Sequence, residues 1–188
     1  MEDYTTKKSP WKTISTQSKY KTPWIEVVHH EVITPGGTEG IYGCVNFQNL
    51  AVGVIPLDEN YNTWIVGQFR YPTQKYTWEI PEGGCPLNEL PLDAAKRELK
   101  EEVGLTAETW ELVQEMDLSN SATDEVSFTY LARNITEGSA CQDDNEDITV
   151  RKLPFLELYQ MVLNGDIRDA ISVAGILKVK QMIDDKII

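Results

Sequence analysis

Apolar and polar positions along this chain first follow the two-residue period of strands, and only later the longer period of helices. IEVVHHEVI (25–33) and IYGCVNF (41–47) are runs rich in β-branched residues, and the turn chemistry of TPGGTEG between them predicts a hairpin. LAVGVIPL (50–57) and TWIVGQFRY (63–71) are apolar nearly throughout, as in buried strands, and the short DENYN between them predicts a second hairpin. YTWEIPEGG reads as a short strand running into a glycine-rich loop. AETWELVQEMDLS, DEVSFTYLARN and ITVRKLP predict three further strands. Residues 1–20 have few apolar positions and are expected to form a partly ordered arm. GSACQDDNED (138–147) is expected to be an exposed acidic loop.

The helical pattern begins at Pro91, a residue suited to a first turn, and stops before Gly104, a residue suited to follow a last one. Leu92, Ala95, Leu99 and Val103 fall at i, i+3, i+7 and i+11 and form a ridge for a core. FLELYQMVLN, closed by Gly165, and an apolar-periodic stretch from about Asp169 predict two more helices. Strands mixed with a central helix and terminal helices imply an α+β chain with a mixed sheet covered on both faces.

Composition narrows the partners. The 188 residues suit one domain with a sizeable core, and 41% apolar with 25% charged residues is ordinary for a globular protein. A formal net charge of −13 disfavours nucleic-acid backbones and anionic membranes, and an anionic substrate needs a cation between it and the surface. The first residues show no signal-peptide pattern, and no apolar run is long enough to span a bilayer. Cys44, Cys85 and Cys141 are widely separated and form no CxxC, so reduced thiols in a cytoplasmic protein are expected. His29 and His30 are adjacent in a strand, point to opposite faces, and are read as structural.

The unusual stretch is GGCPLNELPLDAAKRELKEEVGL (83–105), where Glu89, Glu98, Glu101, Glu102 and Arg97 fall within fourteen residues. Like charges three and four apart repel on a helix. An acidic helix of arbitrary spacing is most simply a solvated face. Here the spacing is not arbitrary: Gly83, five residues, Glu89, seven residues, then Arg97-Glu98-Leu99-x-Glu101-Glu102-x-Gly104-Leu105 fills every fixed position of the Nudix box. Carboxylates one turn apart offer hard oxygens on one stripe, which suits Mg2+ or Mn2+. Arg97 is expected to orient a carboxylate through a charge-assisted bond. The glycines let backbone approach the ion, so the carbonyl at Glu82 is expected to complete the coordination.

The resemblance to Nudix hydrolases continues from about residue 22, through VGQFRYP (66–72), WEIPEGG (78–84), TDEVSFTYLA (123–132) and NGDIRDAISVAGIL (164–177). It is nearest to the branch of ADP-ribose pyrophosphatases and other nucleoside-diphosphate-sugar hydrolases. The resemblance implies an α/β/α sandwich at 48–188, preceded at 1–47 by an arm and hairpin that form a homodimer. It implies metal ligation by Glu98 and Glu102, and a role for Glu101 as a ligand or a helper of the attacking water. Glu125 would supply a general base. Arg70 would grip a substrate phosphate with Glu79 beside it in the substrate site, and Trp24 and Tyr42 would stack on the nucleobase. Trp64 and Trp78 are read as core.

The expected reaction is hydrolysis of a pyrophosphate bond in a nucleotide sugar, ADP-ribose first, with GDP-mannose or another nucleotide sugar as the alternative. Two departures from the branch loosen the substrate: SNSAT (119–123) stands where a proline is usual, and GCVNFQNL lacks an arginine. A non-hydrolysing nucleotide-binding module is the competing class, disfavoured by the complete box. An RNA-decapping enzyme is disfavoured by the charge.

Overall fold

The computed structural model describes residues 7–140 and 147–188 in two compact units. The first comprises the chain up to Gln48 together with Ser119–Glu125, and the second comprises Asn49–Leu118 and Val126–Ile188.

Three antiparallel strands make the first unit: β1 (Lys12–Lys21), β2 (Ile25–Ile33) and β3 (Glu39–Phe47), in that order across the sheet. β2 and β3 form the expected hairpin, closed by Thr34–Thr38 hydrogen bonds and by Gly37 at φ +84°. The arm expected over residues 1–20 is instead a strand from Lys12 onward. KTISTQSKYK is exposed at every position, so it shows no apolar alternation, and its ladder to β2 forms it all the same. Three lysines along it suit an edge strand, where charge discourages pairing with another chain. His30 meets the Thr16 hydroxyl at 2.9 Å through Nδ1, in keeping with a structural reading.

Two sheets build the second unit. One has the order β7–β4–β9–β8, with β4 (Asn49–Pro56), β7 (Glu82–Pro86), β8 (Leu105–Leu118) and β9 (Glu125–Glu137). The other has the order β10–β5–β6, with β5 (Asn62–Arg70), β6 (Lys75–Glu79) and β10 (Thr149–Pro154). β4 runs parallel to β9 and antiparallel to β7, so the first of these sheets is mixed. The hairpin expected of β4 and β5 does not form. Both edges of β4 are taken by β7 and β9, and both edges of β5 by β10 and β6. The link between them is an Asx turn, in which Asp58 accepts from the backbone of Asn60 and Asn62 and lets the chain change sheets.

Side-chain alternation sends these strands into two cores. Val52, Val54, Trp64 and Val66 pack with Ala94, Ala95, Leu99 and Val103 of the box helix. Ile55, Ile65 and Ile80 pack with Phe155, Leu158, Ile171, Ile176 and Val179. The latter come from α2 (Phe155–Asn164) and α3 (Ala170–Asp184). The second unit is thus the expected α/β/α sandwich, with the box helix on one side of the strands and the terminal helices on the other. Trp64 is core as expected, and Trp78 is partly buried against the second cluster. Losing a Leu99- or Ile176-sized side chain from either core costs about 2–5 kcal/mol. Cys85 is buried and Cys44 half-buried, while Cys141 and most of the acidic loop lie outside the described residues. Among the described residues, no helix is long and apolar enough to cross a membrane.

Candidate active site

The box helix starts where the sequence indicates, with Pro91 in its first turn, but it does not stay α-helical. α1 spans Pro91–Glu98, and a π turn follows over Leu99–Val103, closed by the Gly104 N–H on the carbonyl of Leu99. Gly104 at φ +75° ends it, a conformation that side chains rarely adopt. π turns are uncommon and concentrate at functional sites. This one holds Glu101 and Glu102, and it leaves Leu99 and Val103 buried while also burying Glu102.

Two acids of the helix reach back to the strand that precedes it. Glu102 accepts from the Glu82 N–H through Oε2 at 2.9 Å. The Glu98 carboxylate lies so close over Gly83 that a Cβ there would sit 2.2 Å from its carbon. The glycine of the motif therefore serves a close approach. The segment expected as a loop is β7, whose ladder to β4 fixes the 82–83 backbone against the helix.

Arg97 does more than orient one acid. Its Nη1 donates to Glu98 at 2.7 Å and Glu101 at 3.1 Å, and its Nη2 donates to Glu89 at 3.0 Å and the Gly84 carbonyl at 2.9 Å. Glu89 above all, with Glu98 and Glu101, leaves the guanidinium more basic than usual.

A second arginine group lies at the ends of β5 and β6. Alternation places Arg70, Thr77 and Glu79 on one face of that pair. Glu79 takes Arg70 Nε at 2.9 and 3.1 Å and Nη2 at 2.5 Å, and also accepts from the Thr77 hydroxyl at 2.6 Å. Glu82 takes Nη2 as well, at 2.8 Å. Burial opposes the charge on Arg70, but Glu79 and Glu82 outweigh it and raise its basicity. Burial, with Asp169 and Glu79 adjacent, pushes the Glu82 carboxyl well above the usual carboxylate range.

Asp169 itself caps α3, accepting from the Ser172 N–H at 2.7 Å, while the Ser172 hydroxyl accepts from the Ile80 N–H at 3.0 Å. The sequence marks Asp169 as a helix start but carries no local sign that it neighbours Arg70 and Glu82, because that proximity is made by the tertiary fold.

The second unit thus brings together Glu82 with Glu98 and Glu102, Arg97 with Glu98 and Glu101, and Arg70 with Glu79 and Glu82. Trp24, Tyr42 and Glu125 belong to the first unit. Trp24 is 68% exposed, an open ring. Tyr42 is half-buried, with its hydroxyl donating to the Ser121 carbonyl at 2.7 Å and its ring edge-to-face with Trp11. Glu125 is the first residue of β9.

The donor types, hard carboxylate oxygens, suit a divalent cation. Hard carboxylate oxygens converge on backbone whose missing side chain makes room for them. Among the described residues no three acids are drawn around one point. Arg97 supplies the positive charge between Glu98 and Glu101.

Comparison with known proteins gives the family of the chain. The NUDIX domain model matches residues 48–173, and the model of the nucleoside diphosphate sugar hydrolase N-terminal domain matches residues 11–45. An ADP-ribose pyrophosphatase of Mycobacterium tuberculosis is 32% identical over 173 residues, 90% of this chain and 83% of that protein. A methanol dehydrogenase activator of Bacillus methanolicus is 28% identical over 167 residues, 88% of this chain and 90% of that protein. A crystal structure of an ADP compounds hydrolase superposes with a TM-score of 0.84 at 18% identity, over 94% of this chain and 95% of the other, and so shares the fold. The chain belongs to the Nudix hydrolases, as a pyrophosphohydrolase related to the ADP-ribose pyrophosphatases.

Proposed function

We propose that this enzyme hydrolyses the pyrophosphate bond of a nucleoside diphosphate sugar, with ADP-ribose as the leading substrate, using Mg2+ or Mn2+. Water adds across the P–O–P link and yields AMP and ribose 5-phosphate. The observation that carries the reading is the convergence of Glu98 and Glu102 on the Glu82–Gly83 backbone.

Glu98, Glu102 and the Glu82 carbonyl would hold the ion, with Glu101 as a further ligand or as a partner of the attacking water. When bound, the ion polarises phosphoryl oxygens and acidifies water. Arg97 keeps the acids from repelling one another and from leaving the site. Arg70 offers its guanidinium to a substrate phosphate, and Glu79 holds it there. Glu125 is assigned as the general base that takes the proton from water. Trp24, with its ring open to solvent, and Tyr42 are assigned to the nucleobase. The three-stranded first unit is assigned to a homodimer contact, and the enzyme to the cytoplasm.

The match to the nucleoside diphosphate sugar hydrolase N-terminal model favours a second reading within the same chemistry, another nucleotide sugar such as GDP-mannose. A panel of ADP-ribose, GDP-mannose and capped RNA, run with Mg2+ or Mn2+ in heavy-oxygen water, separates them. The expected result is AMP and ribose 5-phosphate with one product labelled. Silence across the nucleotide sugars overturns the proposal, and faster GDP-mannose turnover moves the substrate. Light scattering at working concentration is expected to report twice the 21.3 kDa chain mass.

A further inference from the structure

Glu82 is an expensive residue for its place. Its side chain is only 10% exposed, Oε1 pairs with Arg70, and the rest of the carboxyl has another acid, Asp169, within hydrogen-bond reach. Burying a carboxyl among other acids costs stability through desolvation and like-charge repulsion. Asp169 and Glu79 crowd it with further negative charge. The backbone role assigned to Glu82 as a carbonyl ligand asks nothing of this side chain.

Donor accounting at Arg70 supplies a reason. A guanidinium has five N–H donors in a fixed fork. Nε goes to Glu79, and Nη2 is shared by Glu79 and Glu82. Nη1 has no partner among the described residues, and the side chain is 37% exposed. Two nearly buried carboxylates thus occupy one edge and one end of the fork and leave the other end as the only pair of donors on offer. Glu82 also donates its own N–H to Glu102. One residue therefore ties Arg70 by its side chain and a box carboxylate by its main chain.

We propose that the Glu82 side chain is a positioning residue, which locks the Arg70 guanidinium at a fixed offset from Glu102 so that Nη1 meets a phosphate of the substrate. This rests on the pyrophosphohydrolase reading above and names the part of the site that sets the diphosphate in register with the box. Glu82 acts through Arg70 and makes no contact with the substrate itself.

The test is a double-mutant cycle on the full chain with Glu82→Met, Glu82→Gln, Arg70→Ala and the Glu82→Met/Arg70→Ala pair. KM and kcat for ADP-ribose are measured with Mg2+, ADP affinity is measured by calorimetry with Mg2+, and each variant is melted. Glu82→Met is expected to raise KM and weaken ADP binding about tenfold and to change kcat less than about threefold. A purely structural role would lower the melting temperature while leaving KM and ADP affinity unchanged. Glu82→Gln keeps an acceptor for Nη2 but loses the charge, and its KM and ADP affinity are expected to fall between those of Glu82→Met and wild type. In the Arg70→Ala background the Glu82→Met effect is expected to vanish.

An unchanged KM in Glu82→Met, or an effect that persists undiminished without Arg70, overturns the inference. If the wild type turns over no nucleotide sugar, the functional reading falls by itself, and the ADP affinity cycle still decides the role of Glu82.

Discussion

Two arginines of the second unit each gather acids, in opposite ways. Arg70 holds two carboxylates that are almost closed to solvent and keeps one end of its fork without a partner among the described residues. Arg97 spreads over three glutamates and a carbonyl, with Glu98 nearly buried and Glu89 and Glu101 half-buried. The first is a mount, because its acids are nearly buried and tied by several hydrogen bonds. The second is an internal counterion, whose charge a divalent cation would duplicate. The same residue type thus serves recognition in one place and electrostatic relief in another, and burial of the partner acids is what separates the two.

The largest effect is expected where the groups meet. Glu102 bonds the Glu82 N–H and neighbours Glu101 in the π turn. Glu102→Gln keeps an acceptor for that N–H but loses the charge. Turnover is expected to fall by about three powers of ten with an unchanged melt, since the substitution is nearly isosteric. Steady-state rates near wild type would remove Glu102 from the metal assignment.

Arg70→Ala sharpens the contrast through stability. It leaves Glu79 and Glu82 buried without a counterion and is expected to cost about 3 kcal/mol in urea unfolding. Arg97→Ala removes a network in which two of the three acids, Glu89 and Glu101, keep partial contact with water, and is expected to cost about 1 kcal/mol, with the loss recovered by millimolar Mg2+ or Mn2+. Equal losses for the two variants, with no response to metal, would erase the distinction. The smallest change is expected for Asp169→Asn, which keeps the α3 cap while removing one negative charge from beside Glu82. Unfolding free energy is expected to shift by no more than about 0.5 kcal/mol, towards greater stability.

Much of this was legible in the sequence where the signal is local. Pro91, Gly104, Gly165 and Asp169 mark helix ends because capping is decided within a few residues, and each stands where the pattern put it. The core ridge Leu92, Ala95, Leu99 and Val103 is likewise local, and Ala95, Leu99 and Val103 are buried. Pairing between distant segments was not legible. LAVGVIPL and TWIVGQFRY look like hairpin partners because they are close in sequence, yet Val52–Val54 find β7 and β9 instead. β1 escaped notice because a strand exposed on both faces has no apolar rhythm to read. At the site, the motif named the acids, but the Arg70–Glu79–Glu82 group joins β5, β6 and β7 and has no signature at fixed spacing.

The π turn makes the end of the box helix sensitive to length. A π turn accommodates one residue more than the α turn it replaces, so the stretch from Leu99 to Val103 carries its acids at an angle that a regular helix would not give them. Removing a single residue there, such as Lys100, would let the coil tighten to an ordinary α turn and keep its register. Adding one would swing everything beyond it by about 100° around the axis. Glu102 would then leave the backbone of β7, and Val103 would leave the core. Hydrophobic anchoring and cation chemistry are geared to the same widened coil, so an added residue here is more damaging than an exchanged one.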